Sequence, residues 1–134
     1  MDPANNDKGD ILRAKRNNEK QFAFDYVFEP AASQEAVFMH TTKFLIHGVL
    51  DGYNATVFAY GQTGCGKTHT MMGPASALEQ GSANEHDRGI IPRAVRHIFG
   101  YIDAADKAIK FLVRCSYLEI YNENILDLLC GRAS

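Results

Sequence analysis

The sequence predicts an α/β fold, a mostly parallel sheet with helices on both faces, on three observations. Apolar runs with the two-residue period of strands alternate along the chain with runs of helical period. The run Ala55-Thr56-Val57-Phe58-Ala59-Tyr60 is apolar on both faces, as a central strand covered on two sides must be. A glycine-rich turn follows that run directly, and sheets of this kind bind ligands beyond the carboxyl ends of their strands. The 134 residues suffice for one domain at most, since domains run to about 100–150 residues.

The elements follow in order. Residues 1–21 are rich in charge and contain no apolar core segment, so they read as a poorly ordered polar leader and not as a secretory signal or anchor; the domain itself is expected over 22–134. Phe22, Phe24, Tyr26 and Phe28 alternate onto one face and predict a strand. Ser33 can cap a helix with Glu35 in its first turn, and Val37, Thr41, Leu45 and Val49 carry it to a stop at Asp51-Gly52. After the strand at 55–60 and the glycine turn, residues 73–89, bounded by Gly73 and Gly89, have no apolar period and predict a long surface loop. Pro92 suits a first helical turn, and Ile91, Val95, Ile98, Phe99 and Ile102 predict a helix over about 92–102. Ile109 to Tyr121 alternates as a long strand, and Ile125, Leu126, Leu128 and Leu129 predict a short terminal helix.

Composition excludes several function classes. The charge of −2, from 14 basic and 16 acidic residues, provides no field to gather nucleic acid or an anionic membrane. No apolar run approaches the ~20 residues that span a bilayer, which excludes membrane insertion. Cys65, Cys115 and Cys130 are too scattered for a disulfide framework or a four-ligand zinc site, so reduced thiols in the cytosol are expected.

Chemistry concentrates at Gly61-Gln62-Thr63-Gly64-Cys65-Gly66-Lys67-Thr68, a full match to G-x-x-x-x-G-K-[ST]. Backbone N–H groups can surround a triphosphate only where side chains leave room, which is the reason for Gly61, Gly64 and Gly66. Lys67 brings a mobile positive charge to the β and γ phosphates, and the Thr68 hydroxyl is a hard ligand for Mg²⁺. With glycine near 7% of residues, a chance match in a chain of this length is on the order of a few in a thousand. Hydrolysis needs more, a group that positions water and a second carboxylate near the metal, and the loop contains neither.

The other candidates read as structure. Cys65, beside a helix start, is expected to fill space rather than to act as a redox thiol. His40 and His47 lack a third metal ligand at suitable spacing, and Glu123 and Asp127 fit a solvated helix face. Gly52, Tyr53 and Asn54 suit a turn, and the aromatic residues at 22–28 suit a core rather than a base-stacking platform.

Taken together, FAFDYVF, SQEAVF, GYNATVFAYGQTGCGKTHTM, GIIPRAVRHIF and SYLEIYNENILDLL, in order over residues 22–129, resemble the blocks of the kinesin motor domain, a P-loop NTPase. The phosphate loop alone is common to many P-loop proteins; GYN-TVFAYGQTG-GKTHTM is far more specific. By this resemblance Gly61 to Thr68 hold the phosphates of ATP, Thr68 binds Mg²⁺, and His69 lies against the adenine. Residues 73–89 then correspond to the family's variable loop interrupting its second helix. HTTK at 40–43 together with VLDGYNATVFAYG and TGCGKTHTM looks closest to the eighth kinesin family, whose members walk towards microtubule plus ends and shorten them.

The resemblance also implies absences. The leader contains no R-x-R-P segment, which in the family packs on the adenine. The γ-phosphate-sensing switches, the main microtubule-binding elements and the neck linker would follow Leu129 and are not in this sequence. The chain is therefore expected to be the incomplete, ATP-binding part of a microtubule motor of the cytoplasm and cytoskeleton, inactive by itself. The alternative is a truncated or degenerate P-loop nucleotide-binding or interaction module without motor activity.

Overall fold

The computed structural model of the chain describes residues 20–79 and 84–130. These fall into two units, divided between Ala32 and Ser33. The leader expected over 1–21 lies outside the described residues except for its last two.

In the first unit the Phe22 and Phe24 rings stack with centroids 6.4 Å apart, and those of Tyr26 and Phe28 lie 4.5 Å apart. Ring contact between residues two apart is the side-chain pattern of period two. The expected strand itself is not formed there, and the segment ends in a turn in which the Ala32 N–H donates to the Glu29 carbonyl at 2.9 Å across Pro30.

The second unit is built from helices. Helix α1, Gln34–Thr41, starts where the Ser33 hydroxyl accepts from the Ala36 N–H at 3.1 Å, and α2, Lys43–Leu50, follows after Thr42. One continuous helix was the expectation; two result, because the Thr41 hydroxyl donates back to the Val37 carbonyl at 2.7 Å and two β-branched residues stand together at the join. Helix α2 closes as a Schellman motif: the Tyr53 N–H donates to the Gly48 carbonyl and the Gly52 N–H to that of Val49, with Gly52 left-handed at φ 99°.

Helix α3, Lys67–Met72, leaves the glycine turn, and α5, Ile90–Ala104, is the longest helix described. Helix α5 packs against α1, α2 and α3. The edge of His97 meets Phe38 with ring centroids 6.3 Å apart and His47 at 5.6 Å. Phe38, Thr42, Ile46, Ala77, Gly89 and Ile90 are the buried residues among those described, so the core sits where these helices meet.

The sheet differs most from expectation. Residues 55–60 and 109–117 form no strand ladder among the described residues, and Phe58 and Tyr60 are exposed. A strand exists through hydrogen bonds to a neighbour, so apolar alternation without a partner leaves no ladder. Among the described residues the sheet is one antiparallel hairpin, β1 Leu118–Tyr121 with β2 Asn124–Asp127, in register Tyr121↔Asn124. Only the last four residues of the long strand expected over 109–121 belong to it. The helix expected around 125–129 is overturned, because Asn122 and Glu123 both take positive φ, 46° and 58°, as a two-residue type I′ hairpin turn requires. Glu123 and Asp127 thus sit in a hairpin and not on a helix face. The Asp127 carboxylate accepts from the Leu129 N–H and the Cys130 thiol, and these bonds hold its pKa below the ordinary carboxylate value.

The loop expected over 73–89 contains a short helix α4, Ala75–Leu78, and a 3₁₀ turn, Glu85–Asp87. Its ends are pinned together. The Gly89 N–H donates to the Met72 carbonyl at 3.0 Å, and a Cβ on Gly89 would stand 2.6 Å from the Met71 carbonyl carbon and 2.7 Å from the Gly73 nitrogen. Backbone meets backbone there, and neither strand of chain can yield. Gly89→Ala is expected to destabilise the chain by about 1–3 kcal/mol, the ordinary cost of overpacking, and to speed proteolytic nicking of residues 73–89; an unchanged melting temperature and nicking rate would remove the pin.

Glu85 ties this loop to α5. Its carboxylate accepts from Arg96 at 3.0 Å and pairs with Arg88 at 2.9 Å, while the Arg88 Nε donates to the Ala77 carbonyl. The Arg96 hydrogen bond first, and the Arg88 charge next, lower the Glu85 pKa below its ordinary 4.5. A depressed carboxylate pKa stabilises the folded form fully above the unfolded value and loses that contribution as pH falls through the folded value. Acidification below about pH 4.5 should therefore loosen the loop, read as lower amide-exchange protection at residues 84–88 relative to the intrinsic rate at the same pH. Glu85→Gln should remove the pH dependence; its persistence in that variant would assign it elsewhere.

Candidate functional site

The turn from residue 60 into α3 is made by three glycines in conformations that side chains resist. Gly61, Gly64 and Gly66 have φ of 153°, 83° and 92°, and Gly66 is the left-handed residue immediately before α3. At Gly61 a Cβ would also stand 2.5 Å from the Cys65 sulfur. The Cys65 sulfur thus lies against the Gly61 backbone, while Cys65 itself is exposed.

Lys67 folds back over the loop. Its ammonium donates to the Gly61 carbonyl at 2.9 Å and to the Gln62 carbonyl at 2.7 Å, using two of its three donors. Thr63, Gly64, Gly66, Lys67 and Thr68 line a hollow of about 340 Å³ beside it. The structure thus brings together the residues singled out in the sequence from Gly61 to Thr68. A larger hollow, about 480 Å³, lies between α1 and α5 against Phe38, Met39, Arg96, His97 and Tyr101, away from every loop residue. The loop remains the better candidate because it holds the cation, the hydroxyl and the bare backbone that an anion needs.

His69 is exposed on α3 and is held from α1. The Gln34 side-chain nitrogen donates to the His69 carbonyl at 2.7 Å and lies 3.0 Å from His69 Nδ1. No sequence signal links Gln34 to His69, 35 positions away; only packing does. His40 Nδ1 donates to the Ala36 carbonyl and His47 packs on His97, so the structure does not bring these two histidines together as ligands. Among the described residues no group of three His, Cys, Asp or Glu is placed to hold a metal, and no helix is long and apolar enough to cross a membrane.

A glycine loop of this conformation ahead of a helix, with lysine and threonine at its end, defines a P-loop NTPase-like chain. Residues 2–134 match the kinesin motor domain family. The chain is 50% identical over 129 residues to kinesin-like protein KIF19 of Mus musculus, covering 96% of this chain and 12% of that one. It is 50% identical over 112 residues to the chromosome-associated kinesin KIF4A of Homo sapiens, covering 84% of this chain and 9% of the relative. The crystal structure of the Drosophila kinesin Kin10/NOD in complex with divalent manganese and ADP superimposes with a TM-score of 0.71 at 33% identity, over 85% of this chain and 38% of that chain. The chain belongs to the kinesin motor domain family. It spans about a tenth of the length of these curated relatives.

The loop's dependence on its glycines can be measured. Gly61→Ala should loosen it by about 1–3 kcal/mol through its conformation and the thiol contact together, and Cys65→Ala in the same chain should recover the contact's share. Amide exchange at residue 65, whose N–H donates to the Gln62 carbonyl, reads both; strictly additive effects would mean that the thiol and Gly61 do not oppose each other.

Proposed function

We propose that this chain is the ATP- and Mg²⁺-binding portion of a kinesin-like microtubule motor, in which hydrolysis drives movement along microtubules in the cytoplasm. The observation that carries the reading is the Gly61–Thr68 loop, with its three positive-φ glycines and the Lys67 ammonium resting on two carbonyls beside an open hollow. Support comes from NOD, whose structure holds divalent manganese and ADP, and which has been fitted with tubulin into a map of its complex with the microtubule.

The residues present fit the cofactors by their donor chemistry. A triphosphate offers Lys67 full negative charge in place of two carbonyl dipoles, and charge-assisted hydrogen bonds are roughly twice as strong as neutral ones. Gln62, Thr63, Gly64 and Gly66 contribute backbone N–H groups, Cys65 closes the turn that presents them through its own N–H to Gln62, Thr68 contributes its hydroxyl to Mg²⁺, and His69 stands against the base. Mg²⁺, when bound, neutralises charge on the phosphate oxygens. Within the longer motor, residues 22–28, 55–60 and 109–117 take their places as strands of the mostly parallel sheet, each with a neighbour for its backbone. Microtubule binding resides in portions of the motor beyond this segment.

Lys67→Ala should weaken a fluorescent ATP analogue by on the order of a hundredfold, the worth of one buried charge-assisted pair to phosphate. The same substitution should leave an AMP analogue within about threefold, since AMP lacks the β and γ oxygens. Equal losses for both ligands would remove Lys67 from the phosphate site.

A further inference from the structure

We infer that Gln34 is a positioning residue for the nucleotide site: its amide clasps both the backbone and the ring of His69 and so fixes the direction of that ring from a separate helix. The inference rests on the proposed nucleotide site and adds a residue that lies outside the loop motif.

The geometry admits one arrangement of the amide. The same Gln34 nitrogen approaches the His69 carbonyl at 2.7 Å and His69 Nδ1 at 3.0 Å. Turning the amide over would set its oxygen against the His69 carbonyl, acceptor against acceptor, so the NH₂ group must face His69. One N–H then serves the carbonyl and the other serves Nδ1. Nδ1 is consequently the acceptor, and the imidazole proton resides on Nε2. A ring free in solvent samples several rotamers and both tautomers; this one is restricted in both.

Gln34 is itself well anchored. It is the first residue of α1, next to the Ser33 cap, and the His69 carbonyl that it meets also accepts from the Gly73 N–H at 2.8 Å. The clasp thus joins the start of α1 to α3, the helix that begins with Lys67 and Thr68. A ring aimed in advance spares the ligand the cost of ordering it, which is the way preorganisation raises affinity.

The experiment uses the full chain. Imidazole nitrogen NMR of the histidine-labelled protein should show His69 protonated on Nε2 with Nδ1 bare. Gln34→Glu, which preserves the helix start but offers only acceptors, should move the proton to Nδ1; Gln34→Ala should give a tautomer mixture. In both variants a fluorescent ATP analogue should bind about tenfold more weakly, as loss of one or two hydrogen bonds implies, while inorganic tripolyphosphate, which has no base, should compete within about twofold of wild type. An Nδ1-protonated His69 in the wild-type chain overturns the inference, as does equal weakening of ATP and tripolyphosphate in Gln34→Glu. A wild-type chain that binds neither ligand, with the Nε2 tautomer intact, overturns the nucleotide reading instead and removes the function assigned to the clasp.

Discussion

Between Met71 and Gly89 two stretches of backbone come so close that no side chain fits at Gly89, and one hydrogen bond, from the Gly89 N–H to the Met72 carbonyl, closes the contact. The rest of the helical unit depends on that closure. It returns the chain from α3 to the start of α5 across a long loop, so that α3 and α5 lie side by side although seventeen residues separate Met72 from Ile90. Helix α5 then has a fixed face to offer α1 and α2, and Phe38, Ile46 and Ile90 are buried where these helices meet. Loop closure costs entropy that grows slowly with length, so a few strong local contacts suffice to hold a long excursion.

The candidate site takes its order from the same framework. The glycine loop supplies left-handed backbone, but its direction is that of α3, and α3 is only six residues long. So short a helix is marginal by itself. It is held at one end by the Gly73–Gly89 closure and at its middle by Gln34, so the loop is positioned from both α5 and α1. Lys67 resting on the Gly61 and Gln62 carbonyls shows the same economy: the turn satisfies its cation internally while keeping it beside the hollow where an anion would be met.

Local chemistry was the legible part of the sequence. The Ser33 cap, the Asp51-Gly52 stop, the helix around Pro92 and the whole phosphate loop depend on a handful of adjacent residues, and each is found at or within a few positions of its expected place. Asn122-Glu123 was local too, yet the apolar pairs at 125–126 and 128–129 suit a helix as well as a strand, and only the turn's two positive-φ residues decide between them.

By itself the sequence determined the Ser33 start and the Asp51-Gly52 stop of the first helical stretch, which residues make the glycine loop, and the kinesin blocks over 22–129, because capping, left-handed turns and motif spacing are properties of neighbours in the chain. Tertiary structure alone decided the meeting of Gly73 with Gly89 and the hold of Gln34 on His69. The break at Thr42 is different in kind, a local side-chain hydrogen bond that tips a helix already marginal at the join. A clasp or a parallel strand needs a partner distant in the chain, and apolar period records only that a partner is wanted, not which residues supply it.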